Sequence, residues 1–177
     1  MRRLARNPHP LRHASALSVI LVLAPGALFA GALLALRYAD PRLGWLGDVA
    51  RYPWQFWGVA LTGAVATAAG LADWVFHKLY VTVGPREHRG HVHALGAGGV
   101  LFVVMGVASL AARPERLLVP VVVALVATTA LICEEELRFH ARCGAFESRL
   151  HRLLVFGNGM AFLCWFYWLF VAGRPHG

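Results

Sequence analysis

Residues 117–137 read LLVPVVVALVATTALICEEEL, an apolar run with no charge from Leu117 to Cys133 that ends on three successive glutamates. At 1.5 Å per residue, a helix of about 20 residues crosses the ~30 Å hydrocarbon layer of a bilayer, and this run is long enough to do so. Thr128 and Thr129 are its only polar side chains before Glu134, too few for a helix with one face in water. The run is therefore read as a membrane span whose charged tip emerges at an interface.

Four further runs meet the same length, at 14–36, 56–77, 92–112 and 153–172. The 177-residue chain is 58% hydrophobic and 15% charged, with a mean hydropathy of +0.57, more apolar surface than one soluble core of that size encloses. The sequence predicts an all-α integral membrane protein of five transmembrane helices, with a basic leader at 1–13 and a single membrane domain at 14–177. Pro25 is expected to bend the first helix without stopping it, since proline is tolerated inside membrane helices. That first run exceeds the 7–15 apolar residues of a secretory signal, so a retained helix is expected. Cys133, Cys143 and Cys164 form no CxxC pair, which excludes a zinc ribbon and a disulfide framework.

The net charge of +8 comes from basic residues scattered over helix ends, not gathered in a nucleic-acid-binding domain. With an odd number of spans, one count of basic residues sets the topology. Placing the N-terminus in the cytoplasm puts Arg2, Arg3, Arg6, Arg12, Lys78, Arg86, Arg89, Arg138, Arg142, Arg149 and Arg152 inside. Arg37, Arg42, Arg51, Arg113, Arg116 and Arg174 are then outside. The expected protein is a multi-pass component of the cell's inner membrane with its C-terminus outside. The external loop 37–55, with Trp45, Trp54 and nearby Trp57, suits an interfacial aromatic belt, and 113–116 suits a tight turn between antiparallel helices.

An internal repeat carries the chemistry. Asp73-Trp74-Val75-Phe76-His77 matches Glu136-Leu137-Arg138-Phe139-His140 at the acid, the Phe and the His. After a short loop, Gly84-Pro85-Arg86-Glu87 and His91 match Gly144-Ala145-Phe146-Glu147 and His151. Repeat A (56–112) and repeat B (117–172) are thus hairpins of one design, expected to form a four-helix bundle about a pseudo-twofold axis along the membrane normal.

Each motif places a carboxylate and an imidazole four residues apart, on one face of a helix and one turn from each other. Asp73, His77, Glu87, His91, Glu136, His140, Glu147 and His151 together offer hard oxygen and borderline nitrogen donors. That is the ligand mixture of carboxylate-bridged iron, manganese and zinc centres. Six of the nine acids and eight of the nine histidines fall on the predicted cytoplasmic side, and ionisable groups at that depth are costly unless paired or coordinated. Taken singly, each motif has a bland reading: Glu87 and Glu147 suit the start of a helix, and Glu134 and Glu135 can pair with Arg138. Interfacial pairing would call for Arg or Lys at the fourth residue, yet His stands there all four times. His88, His93, Cys143, His9 and His13 are weaker candidates, and haem ligation by histidines is disfavoured by the accompanying carboxylates.

In ligand type this cluster resembles the di-iron carboxylate proteins of the ferritin-like class, and in its setting the integral-membrane fatty-acid desaturases and hydroxylases. The chain lacks the Glu-x-x-His spacing of the first and the His-x-x-His-His boxes of the second, so the resemblance transfers no residue roles. It implies two iron ions and the oxidation of an apolar, lipid-like substrate reached from the bilayer. Electrons would come from a partner protein, and Arg86, Arg89, Arg142 and Arg149 are expected to contact an acidic electron donor or a lipid headgroup. Zinc-dependent hydrolysis of a lipid amide or ester is the alternative reaction, and a non-enzymatic metal-binding or accessory membrane protein is the third reading. Transport ranks last, for want of polar residues near mid-membrane.

Overall fold

The computed structural model describes residues 14–80, 85–138 and 144–173; the side chains of 14–18, 21, 22, 42, 85–88, 91, 135, 136 and 138 are not described. Five α-helices follow one another: α1 (Ala14–Ala39), α2 (Trp54–Tyr80), α3 (Pro85–Leu110), α4 (Leu118–Arg138) and α5 (Ala145–Phe166). The last continues into a π-helical turn, Tyr167–Val171. No strand occurs among the described residues. Spans Trp54–Tyr80, Val92–Leu110, Pro114–Glu134 and Ala145–Val171 are long and apolar enough to cross a membrane, and Leu23–Ala39 of α1 adds a shorter apolar stretch. The chain is thus a helical multi-pass membrane protein in architecture.

Two helices reach further toward the acid/His end than their apolar runs do. Helix α3 starts at Pro85 and α5 at Ala145, where the sequence alone suggested spans from 92 and 153. Their first turns are polar and escape a search for apolarity, but each has a start signal. Pro85 is preset for the first helical position, and extended Gly144 precedes Ala145, its carbonyl accepting from Ser148 N at 3.0 Å. Helix α1 runs through Pro25 unbroken.

The principal packing is α2 on α5 and α3 on α4, with α1 lying against α2 and α3. Helices α2 and α5 approach closely because small residues meet. A Cβ on Gly157 would stand 2.8 Å from Thr62 O and 2.9 Å from Ala66 Cβ, and one on Gly58 would stand 2.6 Å from Cys164 Sγ. Small residues let backbones close in a lipid phase, where packing and interhelical hydrogen bonds replace the hydrophobic effect as the drive to associate.

The core lies toward the other end of the bundle. Phe56 packs edge-on against Phe29 (5.4 Å), Tyr52 (5.2 Å) and Trp168 (4.9 Å) and stacks on Trp45 (6.2 Å). Trp165 contacts Phe29 at 4.9 Å and donates from Nε1 to Ser109 Oγ at 2.9 Å, joining α5 to α3. The loop between α1 and α2 is a folded cap: 3₁₀ turns Pro41–Gly47 and Val49–Arg51 bury Leu43 and Leu46, and Tyr52 Oη donates to Leu46 O at 2.8 Å. Trp54 and Trp57 remain exposed there, in keeping with the expected belt.

Candidate functional site

Asp73 and His77 lie in the last two turns of α2, and Glu147 and His151 in the first two turns of α5. Because α2 and α5 run antiparallel, the contact that begins at Gly58 with Cys164 and passes through Thr62 and Ala66 with Gly157 brings these four residues level at its far end. Asp73, Glu147 and His151 are buried, and the His77 side chain is only 13% exposed. In an apolar bundle such groups are retained only when paired or coordinated.

His77 has an oxygen neighbour at each ring nitrogen. Nδ1 lies 3.0 Å from the main-chain oxygen of Asp73 and 3.4 Å from its Oδ2. Both oxygens of an ionised aspartate and its peptide only accept, so Nδ1 carries the ring proton and donates to Asp73. Nε2 is thereby turned toward Glu147, whose Oε1 is 3.1 Å away. A neutral imidazole would present a lone pair to a carboxylate there, a repulsive arrangement in a low dielectric. A cation between them makes it attractive, either a proton or a metal ion. The 3.1 Å separation is that of a charge-assisted hydrogen bond, and a nitrogen and a carboxylate oxygen so placed are also donor types that could serve a metal ion. Asp73 thus orients the imidazole from its Nδ1 side, as a backbone carbonyl or carboxylate also does for histidine ligands in metal sites. Asp73 Oδ1, buried and without a hydrogen-bond partner, is one more acceptor in want of a positive charge.

The aromatic residues of the motif close the site on one side. Phe76 packs on Phe146 at 5.5 Å, on Tyr80 at 5.6 Å and beside His77 at 6.2 Å. The Phe76–Phe146 contact ties the end of α2 to the start of α5. Lys78 turns outward and lies over Trp74 at 4.7 Å.

Of the eight residues singled out by the sequence, the structure therefore unites Asp73, His77 and Glu147, with His151 a turn further along α5. The side chains of Glu87, His91, Glu136 and His140 lie outside the described residues, as do His9, His13, His88 and Cys143. His93 is described and exposed. Among the described residues, no three His, Cys, Asp or Glu side chains form a group that could by itself hold a metal ion. Sequence reasoning overlooked the residues that set the register of α2 on α5. Their signal was available in Gly58, Thr62, Ala66 and Gly70, small residues at every fourth position along one face of α2.

No protein-family model, curated protein or solved structure matches the chain, and the site is read from its own chemistry.

Proposed function

We propose that this chain is an integral membrane metalloprotein whose His/carboxylate cluster holds a multinuclear centre, in the first place two iron ions, and oxidises a lipid-like substrate by hydroxylation or desaturation. The observation that supports it is the His77 imidazole, oriented from behind by Asp73 and presenting Nε2 to Glu147 from another helix. In this reading His77 and Glu147 are ligands. Asp73 positions His77 and keeps Oδ1 available, and His151 adds a second nitrogen donor. Glu87, His91, Glu136 and His140 complete the set from α3 and α4. The two principal packings, α2 with α5 and α3 with α4, each join one helix of repeat A to one of repeat B, the exchange a pseudo-twofold relation between the repeats calls for.

Iron held this way supplies activation of dioxygen, and the protein contributes a dry site beside the bilayer from which an apolar substrate approaches. Electrons come from a partner protein on the cytoplasmic side, the face on which the N-terminus lies by the count of arginines. One specific observation favours a second reading. Helices α2 and α5 carry His77, Glu147 and His151 in sequence, the residue types of a mononuclear zinc hydrolase, and His77 meets Glu147, although among the described residues no three such side chains form a metal-holding group. Metal analysis of the purified full chain separates the readings. About two irons per chain with near-ultraviolet absorption in the oxidised state is the expected result, one zinc indicates the hydrolase, and a metal-free chain after growth in metal-supplemented medium refutes both.

A further inference from the structure

Helix α5 has two faces of opposite character. Toward α2 it presents Glu147, His151 and Gly157, all buried. A rotation of about 100° per residue sets Arg149, Arg152, Leu153, Phe156 and Leu163 within an arc of about 100° on the opposite side. Both arginines are exposed, and Leu153, Phe156 and Leu163 are 49%, 70% and 53% exposed. No described acid pairs with either arginine: the ion pairs of this region join His77 to Asp73 and to Glu147.

We propose that this stripe binds an anionic phospholipid, its phosphate held by Arg149 and Arg152 and one acyl chain lying along Leu153, Phe156 and Leu163. Charge and length both select that occupant. Two guanidiniums with no acidic partner among the described residues, at the end of an apolar stripe, match a phosphate, which guanidinium binds in bidentate fashion. From Arg152 to Leu163 the helix rises about 17 Å, close to the thickness of one leaflet of a ~30 Å hydrocarbon layer. An acidic protein would satisfy the arginines and leave the apolar length uncovered. The headgroup then sits at the depth of the His77–Glu147 pair, on the far side of α5 from it. The proposal does not depend on a bound metal.

The test uses the full chain in nanodiscs of phosphatidylcholine with a minor share of phosphatidylglycerol, measuring by mass spectrometry the lipid that stays bound on release. Phosphatidylglycerol is expected to be enriched about tenfold or more over its share in the disc, as two arginines near a membrane surface predict. The Arg149→Gln/Arg152→Gln variant should lose most of that enrichment, whereas Arg149→Lys/Arg152→Lys should keep part of it. Arg113→Gln/Arg116→Gln, at the opposite end of the bundle, should keep all of it. Equal enrichment in the Gln/Gln variant and the wild type overturns the proposal. So does equal loss on changing Arg113 and Arg116, or displacement of the bound lipid by millimolar inorganic phosphate alone, which would mark a site for free anions.

Discussion

Where α2 begins, Phe56 is ringed by Phe29, Trp45, Tyr52 and Trp168; where α2 finishes, Asp73 and His77 meet Glu147 across the same helix pair. The first region is made of neutral rings and is nearly complete within one chain. Its shortfalls are neutral, since Trp45 Nε1, Trp168 Nε1 and Gln55 Oε1 are buried without partners at about 1–3 kcal/mol each. The second concentrates two carboxylates and two imidazoles in the same apolar surroundings, and its shortfall is one of charge. Burying ionised groups costs far more than burying an indole, and removing one member of a buried pair leaves the other uncompensated at about 3–5 kcal/mol. One helix pair thus has an end of neutral aromatic packing and an end that gathers buried ionisable groups.

The comparison can be broken or sharpened by substitution, beginning at the aromatic end. Trp165→Ala removes a side chain only 1% exposed and should lower stability by about 3–5 kcal/mol in thermal or denaturant unfolding in detergent. Its folded fraction should still carry metal, because the damage is remote from His77. Loss of metal in that fraction would show that the two ends are not separable. Gly157→Leu sits between the ends and drives a side chain into Thr62 O and Ala66, costing about 1–3 kcal/mol. Unlike the tryptophan change, it should also weaken metal binding, by spreading α2 from α5 at the level of His77 and Glu147. The smallest effect is expected for Ser109→Ala, which leaves the Trp165 indole in place and removes its hydrogen-bond acceptor, about 0.6 kcal/mol as such bonds average in membranes.

Much of this division was legible in the residues. The run 117–137 declares its span by length and its end by Glu134 to Glu136, and the acid-to-His spacing of four marks the helix faces that carry Asp73 with His77 and Glu147 with His151. The two polar helix starts were legible from the motifs though not from hydropathy: Glu87 and Glu147 suit a first turn, and α3 and α5 begin at Pro85 and Ala145. Which helices pair was not legible from the motifs, since consecutive helices in a hairpin suggest α2 with α3. The close contacts at Gly58 and Gly157 instead make α5 the neighbour of α2, and that choice brings His77 of repeat A to Glu147 of repeat B. Asp73 illustrates a finer loss: spacing marks it as a donor equivalent to Glu147, whereas only the ring orientation reveals that it stands behind His77 on the Nδ1 side.

In the proposed function His77 and Glu147 are ligands of one metal ion. That assignment is tested most directly by metal stoichiometry of His77→Ala, His140→Ala and His176→Ala beside the wild type, each purified as folded full chain under one protocol. The account predicts that the first two, equivalent positions of the repeat, lose metal to similar extents while His176→Ala retains it in full. Equal metal content in all three variants and the wild type would contradict it, leaving His77 and Glu147 an ion pair that shares only a proton.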